Sequence, residues 1–342
     1  MVVQLSRLQN YWQMGDRTLP AVLLLMGGLL LTLLISLCQG AIPLSPMEVW
    51  QALMHRGDSL HQTIVWELRL PRIVAALVVG AALGMSGTLL QGMLRNGLAD
   101  PFVLGISAGA GLVAIALLTL NVLQTWVPLG AWFGALLTAA LVYGLGLVGR
   151  SIAIERLILA GVAVSSLFGA IQTTLLLLAD DGRIQAALNW LIGSLNGRGW
   201  PEVAMAGPYV AIALLGGCLL ARDLNLLTLG EDLAVGLGAS MLRSRLLIGA
   251  IASLLAASAV SMAGLIGFVG LVVPHGIRLL VGYDYRWVLP FSALGGAWVL
   301  VFSDLLSRLG AIELPVGAVT ALLGSPLFIW LLYRRGKRGS EG

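Results

Sequence analysis

The sequence predicts an all-α, polytopic membrane protein of about ten transmembrane helices, and three observations carry that prediction. Of its 342 residues, 58% are hydrophobic and only 11% charged, against about 25% charged in soluble domains. Mean hydropathy is +0.95. The apolar residues fall in stretches of about twenty, the length an α-helix needs to cross about 30 Å of hydrocarbon, and not in the short alternating segments of a β-barrel.

Runs of about 18 or more apolar residues, bounded by charge or by Pro and Gly clusters, fall near 19-38, 71-92, 102-120, 128-149, 156-178, 203-221, 243-263, 265-282, 287-306 and 314-333. The first is too long for a signal-peptide core and follows a segment carrying Arg7 and Arg17, so it reads as a retained span. One transmembrane domain, 19-333, is therefore expected between tails at 1-18 and 334-342. Ten spans put both tails on one side.

Lys and Arg accumulate in cytoplasmic segments. With the N-terminus inside, Arg7, Arg17, Arg95, Arg150, Arg156, Arg222, Arg243, Arg245, Arg278, Arg286, Arg334, Arg335, Lys337 and Arg338 are cytoplasmic, fourteen of the twenty basic residues. Only Arg56, Arg69, Arg72, Arg183, Arg198 and Arg308 face out. Both termini are expected in the cytoplasm, and "LRLPR" (68-72) sets two arginines on the side where such residues are scarce.

Two segments outside the spans carry helix signals. "SPMEVWQALMH" opens with Ser45, Pro46 and Glu48, a capping box with proline in the first turn, and predicts a short amphipathic helix on the outer surface. "DLNLLTLGEDLAVGLGASMLRSR" (223-245) has the length and mixed polarity of one or two short cytoplasmic helices.

Several chemistries are excluded or poorly supported. The single lysine, Lys337, lies in the tail, so the chain has no G-x-x-x-x-G-K-[ST] phosphate loop; nor does it carry a zinc helix or a nucleophile elbow. Basic residues are scattered between apolar runs without a basic stripe, which argues against nucleic acid. Cys38 and Cys218 sit in separate apolar runs and read as small buried residues. His55, Asp58 and His61 match no common ligand spacing. His275, after Pro274, reads either as a satisfied residue at a helix kink or as a relay group. Asp304 and Glu313 fall near outer ends; the midplane acids that an ion-coupled carrier needs are missing, so the driving energy is expected from elsewhere. Gly80 with Gly84, and Gly105 with Gly109, suit close helix packing.

The blocks "LRLPRIVAALVVGAALGMSGTLLQGMLRNGLADPFVLGISAGAG" (68-111), "LILAGVAVSS" (157-166), "NWLIGSLNG" (189-197), "IGFVGLVVPHGIRLLVGYDYR" (266-286) and "ELPVGAVTALLGSPLFIWLL" (313-332) resemble the FecCD-type permease subunits of ABC importers for ferric siderophores, haem and vitamin B12. The resemblance runs through nearly the whole chain. It implies the type II importer permease fold, with ten helices and cytoplasmic termini, in the bacterial inner membrane. It also implies a second permease subunit, identical or not, around a central pathway, a periplasmic or lipid-anchored substrate-binding protein outside, and two ATPase subunits inside that hold the ATP and magnesium. No catalytic, metal or cofactor site is expected in this chain.

By the same resemblance, Gly230, Glu231, Asp232, Leu233, Ala234, Val235, Gly236, Leu237 and Gly238 form the coupling segment that seats in an ATPase cleft. Arg69, Arg72 and Arg308 match arginines that meet acidic residues of the binding protein, for which forked guanidinium groups are suited. Composition alone leaves lipid-headgroup snorkelling equally open for Arg69 and Arg72. The expected cargo is a ferric siderophore, with vitamin B12 or haem as the alternative and an ion-coupled carrier behind both. Small and apolar residues of the second, fifth and eighth spans are expected in the pathway wall.

Overall fold

A computed structural model describes residues 2–149, 151–310 and 312–339. Arg150, assigned above to the cytoplasm, and residues 340–342 of the C-terminal tail lie outside the described residues. The chain is a helical bundle. In order it forms α1 (Val2–Cys38), α2 (Pro46–Leu53), α3 (Ser59–Thr63), α4 (Leu70–Met93), α5 (Ile106–Thr119), α6 (Val127–Gly146), α7 (Ile154–Leu177), α8 (Asp181–Ile192), α9 (Trp200–Leu219), α10 (Ala221–Thr228), α11 (Glu231–Gly236), α12 (Met241–Ala263), α13 (Val269–Val281), α14 (Tyr285–Ser307) and α15 (Val316–Gly339). A two-residue antiparallel ladder, β1 (Leu147–Val148) with β2 (Ser151–Ile152), joins α6 to α7.

All ten expected spans coincide with helices. Among the described residues seven are long and apolar enough to cross a bilayer alone, and three apolar helices are shorter: Ile106–Thr119, Val269–Val281 and Val316–Trp330. Two of the three are shortened at an irregular start. A 3₁₀ turn (Pro101–Leu104) and Gly105, at φ 74°, precede α5. Before α13 the chain leaves the helix at Gly264 (φ 73°) and Phe268 (φ 68°). Backbone groups at these breaks find partners within the protein: Gly105 N–H donates to the Phe102 carbonyl at 3.1 Å, Gly264 N–H to the Val260 carbonyl at 2.8 Å and Ser194 N–H to the Ala263 carbonyl at 2.8 Å.

The second span, α4, is the axis of the subunit, wrapped by α14, α12 and α13. Its small residues let those backbones come close. A Cβ on Gly80 would stand 2.7 Å from the Gly296 carbonyl carbon, and one on Gly84 3.1 Å from that of Ser292. Gly109 meets Gly134 in the same way between α5 and α6. These glycines therefore serve helix contact. Within the subunit α4 is largely enclosed, whereas α7, the fifth span, is the least covered of the long helices.

The outer capping box forms as expected. Ser45 N–H donates to Glu48 Oε2 at 2.7 Å and Glu48 N–H to Ser45 Oγ at 3.3 Å, holding the Glu48 carboxyl below its ordinary pKa. Segment 223-245 contains two short helices, α10 and α11, before α12 begins at Met241. Asp58 caps α3 through Leu60 N–H at 3.0 Å, and His55 stacks on Trp66. Two helices were not expected: α3, of five residues, and α8, at twelve residues too short and too polar to stand out in a search for apolar runs.

Candidate functional site

Two ends of the bundle carry the residues singled out by sequence. At the outer end, α3 passes into α4 through a π-helical turn, Ile64–Arg69, and Pro71 sits in the first turn of α4, where its missing N–H costs little. The wider turn rotates Arg69 inward. Its buried guanidinium donates to the carbonyls of Leu37 and Ile42 and closes the loop after α1. Arg72, one turn on, bonds Asp304 on α14 through Nε and Nη2, both at 2.8 Å, and Glu313 through Nη1 at 2.6 Å. Arg308 reaches the other oxygen of Asp304 at 3.1 Å and the hydroxyl of Ser36.

Thus Arg69, Arg72 and Arg308, up to 239 positions apart in sequence, line one recess of about 430 Å³ with Glu313 and Gly310. Three cations face two carboxylates there, leaving one formal positive charge in excess. Sequence reasoning grouped the arginines but missed their internal partners. Asp304 is buried, and such a charge persists only when paired; the scarcity of acids in the spans was the available signal. Arg72 and Arg308 are mostly buried, each with about a tenth of its side chain exposed, so they form a braced cationic floor and do not project from the surface. A consequence is that Arg308→Glu would set a carboxylate against Asp304 and disturb the bundle itself.

At the inner end, Gly230 (φ 108°) turns the chain from α10 into α11, and Gly238 (φ 85°) releases it toward α12; both angles favour glycine. Only Ala234 of this stretch is buried, while Leu233, Val235 and Leu237 are each more than half exposed. Glu231 and Asp232 lie in the first turn, where carboxylates suit the helix dipole. Arg245 on α12, itself buried, pairs with Glu231 and donates to the Ile152 carbonyl at 2.8 Å. It thereby ties α11 to the β1–β2 hairpin. Asn225 of α10 is tied to the start of α14: its Nδ2 donates to Asp284 at 2.7 Å, and its Oδ1 accepts from Tyr285 N–H at 3.1 Å. The expected coupling residues are thus a short apolar prominence braced against the bundle, with no cover of its own.

The chain is similar to known permeases over most of its length. It is 45% identical to the cobalamin import system permease protein BtuC of Halobacterium salinarum over 279 residues, covering 81% of this chain and 75% of that protein. It is 38% identical to the hemin transport system permease protein HmuU of Yersinia pestis, covering 96% and 100%. With the iron(3+)-hydroxamate import system permease protein FhuB of Bacillus subtilis it shares 39% identity, covering 96% and 87%. A solved structure described as an inward-facing conformation of a metal-chelate type ABC transporter superposes with a TM-score of 0.83 at 32% identity, covering 92% of this chain and 99% of that one. The family model of the FecCD transport family matches residues 28–334; with ten apolar helices gathered about α4 and a match across nearly all of them, this multi-pass helical protein belongs to the FecCD transport family.

Proposed function

We propose that the chain is the permease subunit of an ATP-driven importer in the bacterial inner membrane, passing a bulky metal chelate inward, with a ferric siderophore as the cargo. The observation that carries this reading is the pair of braced ends on one bundle: a recess floored by arginines outside and an uncovered apolar helix inside. In this reading Arg69, Arg72 and Arg308 hold an outer surface with excess positive charge for an acidic binding protein, where complementary charge governs encounter and register. Residues 230–238 seat in a partner ATPase that binds ATP and magnesium, and closure of two such ATPases tilts the helices of two permease subunits as rigid bodies.

The siderophore reading has support in the similarity to the iron(3+)-hydroxamate permease. A second reading, cobalamin or haem, is favoured by the relatives named for those cargoes. Proteoliposomes holding the permease with its ATPase, supplied with its binding protein, decide between them. The expected result is ATP-dependent accumulation of one labelled chelate among ferric siderophore, haemin and cobalamin. Accumulation driven by an ion gradient without ATP would overturn the importer reading.

A further inference from the structure

A cavity of about 330 Å³ opens between α6 and α9 over the outer end of α12, and it shares no residue with the arginine recess. Leu129 and Trp132 of α6 face Ala204, Met205, Pro208 and Tyr209 of α9 across it, and Ser261 of α12 closes its floor. The helices fix its depth. α6 and α9 begin beside Trp126 and Trp200, both of them exposed, and exposed tryptophans mark the headgroup level of a membrane. Leu129 and Tyr209 come three and nine positions later, about 5 and 13 Å below that level at 1.5 Å per residue. The cavity therefore sits just beneath the headgroups of the outer leaflet. On either side of it the helices turn uncovered apolar rows outward: Phe133, Leu137 and Leu141 on α6, Ile212 and Leu215 on α9.

The cavity differs from those convex rows in being built and in carrying polar groups. Trp132 is fixed before anything enters, because its indole N–H donates to Ser258 Oγ at 3.1 Å and its ring stands 5.6 Å from that of Tyr209. Pro208 has no N–H to offer the Ala204 carbonyl one turn above it. Tyr209 is half exposed, and its hydroxyl makes no hydrogen bond among the described residues. In a medium without water such groups need partners. Side chains on a helix lean toward its N-terminus, which carries the Tyr209 hydroxyl up toward the headgroups and not into the hydrocarbon.

We propose that this cavity binds one acyl chain of an outer-leaflet phospholipid, with the Tyr209 hydroxyl donating to an ester carbonyl at the head of that chain. The site requires only that the chain lie in a bilayer, so it stands apart from the importer reading.

The test uses the full-length chain labelled with 5-fluorotryptophan, purified in detergent and titrated with dioleoylphosphatidylethanolamine. The Trp132 fluorine resonance is assigned by its loss in Trp132→Tyr; the other nine tryptophans report whether the fold is kept. Should that variant disturb them, Trp132→Phe supplies the assignment. The expected result is a saturable shift of the Trp132 resonance, weakened about fivefold in Tyr209→Phe, the loss of one neutral hydrogen bond. Ala204→Phe, which fills the slot from an exposed position, should abolish the shift and keep the unfolding midpoint. An unmoved Trp132 resonance, or a shift that persists in Ala204→Phe, overturns the site. Equal affinity for hexadecane, which has no ester, or unchanged affinity in Tyr209→Phe, overturns the assignment to a phospholipid. A shift with haemin or cobalamin in place of the phospholipid would make this a cargo site and overturn it too.

Discussion

Arg72 Nε lies 2.8 Å from Asp304 Oδ1 although 232 residues separate them, and the bond joins the start of the central helix α4 to the end of α14. Asp304 is fully enclosed and also holds Arg308, so one carboxylate fastens two elements of the outer face. Removing one partner strands a buried charge, which costs about 3–5 kcal/mol. Asp304→Asn, which leaves two arginines short of their carboxylate, is expected to lower the thermal unfolding midpoint of the purified protein more than Arg72→Gln. Equal midpoints for both variants and wild type would show that the network contributes nothing to stability.

The close approach of α4 to α14 gives a second expectation. A methyl group at Gly80 meets Gly296 backbone, which cannot swing aside, whereas one at Gly27 meets nothing within 4 Å. Overpacking costs about 1–3 kcal/mol, more where backbone must move. Gly80→Ala should therefore destabilise the protein clearly and Gly27→Ala hardly at all, as read by unfolding in matched detergent. A neutral Gly80→Ala would contradict the packing described.

A pH effect is expected at Asp100, which lies outside the spans and caps the 3₁₀ turn before α5 through Phe102 N–H at 2.9 Å. Burial raises its pKa from 3.8 to about 6, the capping bond opposing only part of that. A carboxyl whose folded pKa is raised binds more protons folded than unfolded, so stability falls as pH rises from about 4 to about 6 and is level above that. Asp100→Asn should flatten this stretch of the unfolding curve while keeping the cap; an unchanged slope would assign it to other groups.

Much of this architecture was legible in the sequence because lipid imposes a single length scale on apolar runs. All ten runs became helices, and the Ser45 and Glu48 cap formed atom for atom. What was not legible depended on contacts far apart in the chain. Nothing local in "LRLPR" indicates that Arg72 turns toward Asp304, or that Arg69 satisfies the carbonyls of Leu37 and Ile42. The spacing of small residues at Gly80 and Gly84 announced close packing but not its partner. Helix α8 escaped notice because it is short and mixed in polarity.

The inner helix supplies the last prediction. Leu233, Val235 and Leu237 project while Ala234 anchors the turn, so the apolar surface is available to a partner without being needed by the fold. Leu233→Ser should leave the unfolding midpoint near wild type, since exposed substitutions commonly stay within about 0.5 kcal/mol. It should nonetheless reduce uptake and its coupling to ATP hydrolysis by the partner ATPase. Arg245→Met is expected to differ, because it frees Glu231 and leaves the Ile152 carbonyl without its guanidinium donor; both stability and uptake should fall. Measured side by side in proteoliposomes, the pair separates the surface proposed to meet an ATPase from the brace beneath it. Full coupling in Leu233→Ser would remove α11 from the transmission path, and a stable, fully coupled Arg245→Met would show that the helix needs no brace.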